Sequence, residues 1–154
     1  MANELPIGGD ALSRSLPMTA VPGFLHLVTP HELQQLRDAL LKGRPPRDLE
    51  FKLARLAGGS LLHRFVEQNS RLIIALLVAA YDGSFSEASR PRLERLLRVL
   101  AYVRKEDDAN PDYRPDGLVD DQQELRAVLN EMGDLLQSFK IWRLRNQVPE
   151  MWRS

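Results

Sequence analysis

Leu125, Val128, Met132, Leu135, Phe139 and Trp142 recur strictly at spacings of three and four. Only an α-helix brings positions so spaced onto one face. Leu129 and Leu136 widen the stripe, so this segment packs against a core and is not a narrow seam. Its predicted start is Asp120, with Gln123 at the capping-box position. Gly133 lies inside the stripe at a cost of about 1 kcal/mol against alanine, and close approach of another helix is the expected reason for it. The same three-and-four spacing returns in every other periodic segment, and none alternates with a period of two. The expected fold is therefore all-α: a compact bundle of five or six helices with an extended N-terminal arm.

Start and stop signals divide the chain. Thr29, Pro30 and Glu32 form a capping box with proline at the first helical position, ahead of Leu33, Leu36 and Leu40. Lys42-Gly43 ends that helix and Pro45-Pro46 turns the chain. Asp48 is the expected cap of a second helix carrying Leu49, Leu53 and Leu56, which Gly58-Gly59 interrupts or ends. Ser60 restarts a helix through Leu61, Leu62, Phe65 and Val66, and Asn69-Ser70 is a candidate break before the apolar run Leu72–Tyr81. Gly83 supplies a left-handed turn, and Ser86 or Ser89 caps the next helix. Pro91 is tolerated only in a first turn, which fixes that helix's start near Ser89. Leu93, Leu96, Leu100 and Val103 make its stripe.

A chain of 154 residues, 44% apolar and 27% charged, suits one soluble domain. We divide it into an arm, residues 1–28, and a single helical domain, residues 29–154. The formal net charge is zero, so any attraction to nucleic acid or anionic lipid must come from a local patch. The absence of cysteine excludes disulfides, thiolate metal sites and a cysteine nucleophile, and fits a reducing compartment; the expected location is the cytoplasm. The longest apolar run, Leu72–Tyr81, is too short for a bilayer, which needs roughly 20 residues. Within the arm, Leu5, Ile7, Leu12, Leu16, Met18, Val21, Phe24, Leu25 and Leu27 follow no helical period. That many apolar side chains must cover something, either this protein's helices or a partner's.

Three places invite a chemical reading. From Lys105 to Glu124 there are eight acidic residues against Lys105 and Arg114, a local net charge of −6. Asp108, Asn110 and Asp112 hold the first oxygen positions of a calcium loop, but Tyr113 replaces its turn glycine and Val119 its bidentate glutamate. These three are the metal candidates, set against capping and turn formation ahead of the final helix. The segment Arg90–Lys105 carries Arg90, Arg92, Arg95, Arg98, Arg104 and Lys105 against Glu94. Tyr102 is its one aromatic residue, so it lacks a row of stacking side chains and reads as a self-neutralised face and not a nucleic-acid track. At the C-terminal end Phe139, Trp142, Arg143, Arg145 and Trp152 combine aromatic and guanidinium groups, the composition of an interaction hot spot. The competing assignment there is that Trp142 finishes the core stripe and Trp152 folds back on it after Pro149. His26, His31 and His63 lack metal spacing, and no phosphate loop or nucleophile elbow is present. No catalytic residue and no cofactor are therefore expected.

The acidic segment resembles the signature of the YkvA-like family, small bacterial helical domains of unknown function. The matching positions are Asp108, Pro111, Asp112, Pro115, Gly117, Asp120 and Asp121. Asn110 and Arg114 stand where the signature is apolar, and one residue is missing between Pro115 and Gly117. The resemblance covers about residues 93–142; it implies a helical bacterial domain and no activity. Asp82-Gly83-Ser84-Phe85-Ser86 also looks like a turn of TerB-like tellurite-resistance domains. The function these observations favour is a non-enzymatic interaction module, an adaptor or accessory subunit working through protein–protein contacts. A peripheral membrane protein using its Trp/Arg end comes second. A metal-dependent or enzymatic role at the 106–121 connection comes third. The expected partner is a protein, not nucleic acid, with a membrane surface or a second copy as alternatives.

Overall fold

A computed structural model of the chain describes residues 28–105 and 117–146. Among them are six α-helices and no strand: α1 (Pro30–Leu41), α2 (Arg47–Leu56), α3 (Leu61–Tyr81), α4 (Arg90–Arg104), α5 (Gly117–Glu131) and α6 (Gly133–Asn146). The N-terminal arm lies outside the described residues except for Val28, which is buried at the foot of α1.

α3 and α4 form the centre. Each packs against α1, α2 and α5 as well as against the other, while α6 lies chiefly along α5. The core follows from the sequence stripes. Leu36, Leu49, Leu53, Ile73, Leu76, Leu77, Leu96, Leu100, Leu125 and Val128 are fully buried. Burying side chains of this size stabilises by about 1.5–3 kcal/mol each before ordering entropy is counted.

The helix starts obey their local chemistry. The Thr29 hydroxyl accepts from the Glu32 amide at 3.1 Å and the Glu32 carboxylate accepts from the Thr29 amide at 2.8 Å. Ser60 caps α3 in the same reciprocal way, with the His63 ring taking the place of the usual glutamate. Gly83 has φ 87° and Gly43 φ 98°, the left-handed region that side chains other than glycine's strain to occupy.

Five local expectations are corrected. α2 is capped at Pro46, so Asp48 sits inside its first turn; there it accepts from the Leu49 amide at 2.9 Å and receives Arg104 at 3.1 Å. Ser89 is the cap position of α4, but no side-chain cap bond forms there. Asn69-Ser70 does not break α3. The Asn69 amide group donates to the Phe65 carbonyl one turn back, so it stops competing for the helix backbone, and Ser70 is small enough to be wholly buried. The final stripe, by contrast, is two helices divided at Met132. The Met132 amide still donates to Val128 and the Leu136 amide to Met132, so the division is a local bend. A Cβ added at Gly133 would meet nothing within 4 Å, so close helix approach is not its reason. Its weak helical propensity at the bend is the physical cause available.

Candidate functional site

A buried polar centre joins α2, α4 and α5. Lys52 occupies the inward face of α2 among Leu49, Leu53 and Leu56, with 1% of its surface exposed. Its ammonium donates to the Val103 carbonyl near the end of α4 and to the Asp121 carboxylate of α5 at 3.2 Å. Asp121 is fully buried, and Asp120 and Glu124 beside it on α5 are nearly so. Tyr102 is buried as well, one residue before the carbonyl that Lys52 holds. A charge removed from water costs several kcal/mol unless paired. Lys52 therefore ties three helices to one another through groups that cannot be left alone.

Of the signature residues, Asp120 and Asp121 thus belong to the interior, and Gly117 opens α5. Asp108, Pro111, Asp112 and Pro115, with Asn110, lie outside the described residues, and so does the proposed metal loop. Among the described residues no group of three His, Cys, Asp or Glu side chains is arranged to hold a metal ion.

Three of the five arginines of the basic helix α4 are paired with carboxylates on other helices. Arg92 reaches Asp134 at 3.4 Å, Arg95 reaches Glu131 at 3.2 Å, and Arg104 reaches Asp48 at 3.1 Å. Lys105, just past its end, reaches Glu32 at 3.1 Å, and Glu94 in turn receives Arg37. Burial pushes the Glu32 carboxyl up, but hydrogen bonds from Thr29 and Lys105 outweigh that and hold it below its ordinary value. Arg95 places its two terminal nitrogens in buried positions without a hydrogen-bond partner among the described residues.

At the C-terminal end, Phe139 is only 1% exposed. It belongs to the core, so the interaction reading loses it. It packs edge-on to Phe85 at 5.1 Å and stacks with the half-buried Trp142 at 5.6 Å, and Trp142 meets Phe85 at 5.5 Å. Arg143 lies 5.5 Å from the Phe139 ring centre. The outer face of α6 carries Ile141, 41% exposed, and Leu144, 76% exposed, with Lys140 and Arg145 beside them. Lys140, Arg143 and Arg145 enter no ion pair among the described residues. Trp152 lies outside the described residues.

Sequence reasoning missed Lys52, Glu124 and Phe85. Lys52 stands three residues after Leu49, on the apolar stripe, and that position was its signal. Phe85 sits inside a turn otherwise made of Asp, Gly and Ser, and an aromatic residue there marks a turn that folds onto a core. Outside the site, no helix among the described residues is long and apolar enough to cross a membrane. Compared with known proteins, the chain matches no family model, no curated protein and no solved structure.

Proposed function

We propose that this protein is a non-enzymatic helical interaction module that takes a protein partner on the outer face of α6. One observation carries the reading: α6 is apolar on both sides. Leu135, Leu136 and Phe139 bury inward, while Ile141 and Leu144 are exposed beside cations that enter no ion pair among the described residues. Neighbouring exposed apolar side chains rimmed by polar ones mark a surface suited to an interaction. Exposed apolar anchors one turn apart, rimmed by Lys140 and Arg145, fit a complementary protein surface with an acidic edge. The kinship with YkvA-like domains and the cytoplasmic location are part of the same proposal; they rest on the Pro-Asp segment with Asp120-Asp121 and on the absence of cysteine.

The test compares the intact chain with an Ile141→Glu/Leu144→Glu variant as bait in quantitative affinity capture. Both positions are exposed, so the variant keeps its helical spectrum and melting temperature. The reading expects at least one protein retained by the intact chain and lost from the variant. Identical captured sets would remove it. The same cations also suit anionic lipid. Sedimentation with anionic phospholipid vesicles at low salt, abolished in the variant and falling as salt rises, would move the reading to a membrane surface.

A further inference from the structure

One side of α3 forms the floor of a groove of about 340 Å3. Ile74, Ala75, Val78 and Ala79 line it; the α1–α2 turn at Gly43 and Pro45 is one wall, and Trp142 of α6 another. Arg71 and Glu50 at the groove neutralise one another through two parallel hydrogen bonds of 3.0 and 3.2 Å. Asp82 is the lining charge that has no ion pair among the described residues. The groove is thus apolar along its floor, closed to charge at Arg71 and acidic at Asp82.

We propose that this groove is the docking site of this chain's own residues Val148–Trp152. The argument is one of reach, chemistry and ordering cost. Asn146 ends α6 one turn after Trp142, to whose carbonyl its side chain donates at 2.7 Å. The chain therefore leaves its helix beside the groove wall. The floor from Arg71 to Asp82 is about 16 Å long at the helical rise, and Val148 to Trp152 extended covers roughly 13 Å. Val148, Met151 and Trp152 supply apolar groups for the floor, and Arg153 supplies the cation for Asp82. Pro149 fixes its own backbone and biases Val148 to an extended shape, which lowers the entropy lost on docking. A short tether also gives the segment an effective concentration on the order of millimolar without any new contact. The inference is independent of the outer α6 face: it uses the opposite side of that helix, at Trp142. It turns Trp152 from a partner's anchor into an internal one, and leaves Ile141 and Leu144 exposed on the outer face of α6.

The chain has two tryptophans and no cysteine, which makes the test direct. In a Trp142→Phe variant of the full chain Trp152 is the sole indole. Its emission should be blue-shifted and should resist iodide quenching at all protein concentrations. Adding Ala75→Glu, a carboxylate on the groove floor, should shift that emission to the red and raise quenching several-fold. A second measurement needs no disruption of the groove: Met151→Cys with Ala75→Cys should oxidise to an intramolecular disulfide faster in the folded chain than in urea. Three outcomes overturn the proposal. Trp152 as quenchable as in the unfolded chain, together with no enhanced disulfide, leaves the groove to another occupant, and an Ala75→Cys thiol blocked until residues 1–27 are deleted names the arm as that occupant. Trp152 protection indifferent to Ala75→Glu puts the indole elsewhere. Protection that grows with protein concentration assigns the groove to a second copy.

Discussion

Lys52 illustrates how one side chain decides more than its neighbours' propensities. A lysine on an apolar stripe is unfavourable unless something receives its charge, and here the Val103 carbonyl and Asp121 do. The pair contributes little as a net gain over apolar packing, but breaking it leaves a buried carboxylate short of a partner. Lys52→Met is therefore expected to destabilise the fold by about 3 kcal/mol, read as a lower urea midpoint with an unchanged slope. A loss below about 1 kcal/mol would mean that Asp121 is held well enough by its other neighbours. Lysine's usual exposure hid this centre in the sequence, because nothing local to residue 52 names a carboxylate that lies on a helix three elements later. Phe139 shows the converse. Its place in the stripe already said core, and its place among arginines said surface; burial decided for the stripe.

Helix starts were legible because they are local chemistry: Thr29 with Glu32, Ser60, and Pro91 after Ser89 needed no tertiary information. Helix interruptions were not, because Asn69-Ser70 and Met132-Gly133 look alike as breakers and differ only in what surrounds them. The long α3 keeps going because packing on its buried face outweighs two poor helix formers. At Gly133 there is open space where a Cβ would go and no left-handed backbone. Gly133→Ala is thus expected to raise stability by about 0.5–1 kcal/mol, seen as a higher urea midpoint; a lower midpoint would mean that the bend needs glycine. The α1 cap carries a pH dependence. The folded Glu32 carboxyl titrates below its ordinary value of 4.5. Its contribution is present above that pH and is lost as pH falls through the lower folded value. Glu32→Gln should therefore narrow the stability gap between pH 6 and pH 3, since its amide does not titrate. An unchanged pH profile would place the acid sensitivity elsewhere.

Across the whole molecule, the contacts are unevenly shared, and this sets the order in which the fold opens. α3 and α4 each pack against four helices, so neither can open without the core opening with it. α6 leans chiefly on α5 and reaches the rest through Phe139 and Trp142 against Phe85 and through the exposed Arg92–Asp134 pair. Its outward side adds little burial, since Leu144 and part of Ile141 face solvent. Local opening free energies scale with the buried contacts an element must give up. Amides of α6 beyond Gln137 should accordingly exchange with deuterium through a local opening, well ahead of those in Ile73–Val78 and Leu96–Ala101, which should exchange only with global unfolding. Phe85→Ala removes the ring that joins α6 to the α3–α4 turn, and should speed exchange along α6 more than along α3. That same low local stability suits a helix whose outer face awaits a partner, because covering Ile141 and Leu144 would supply the burial it lacks. Exchange in α6 as slow as in α3 would show that the helix is already locked, and that its apolar outer face is not what limits its stability.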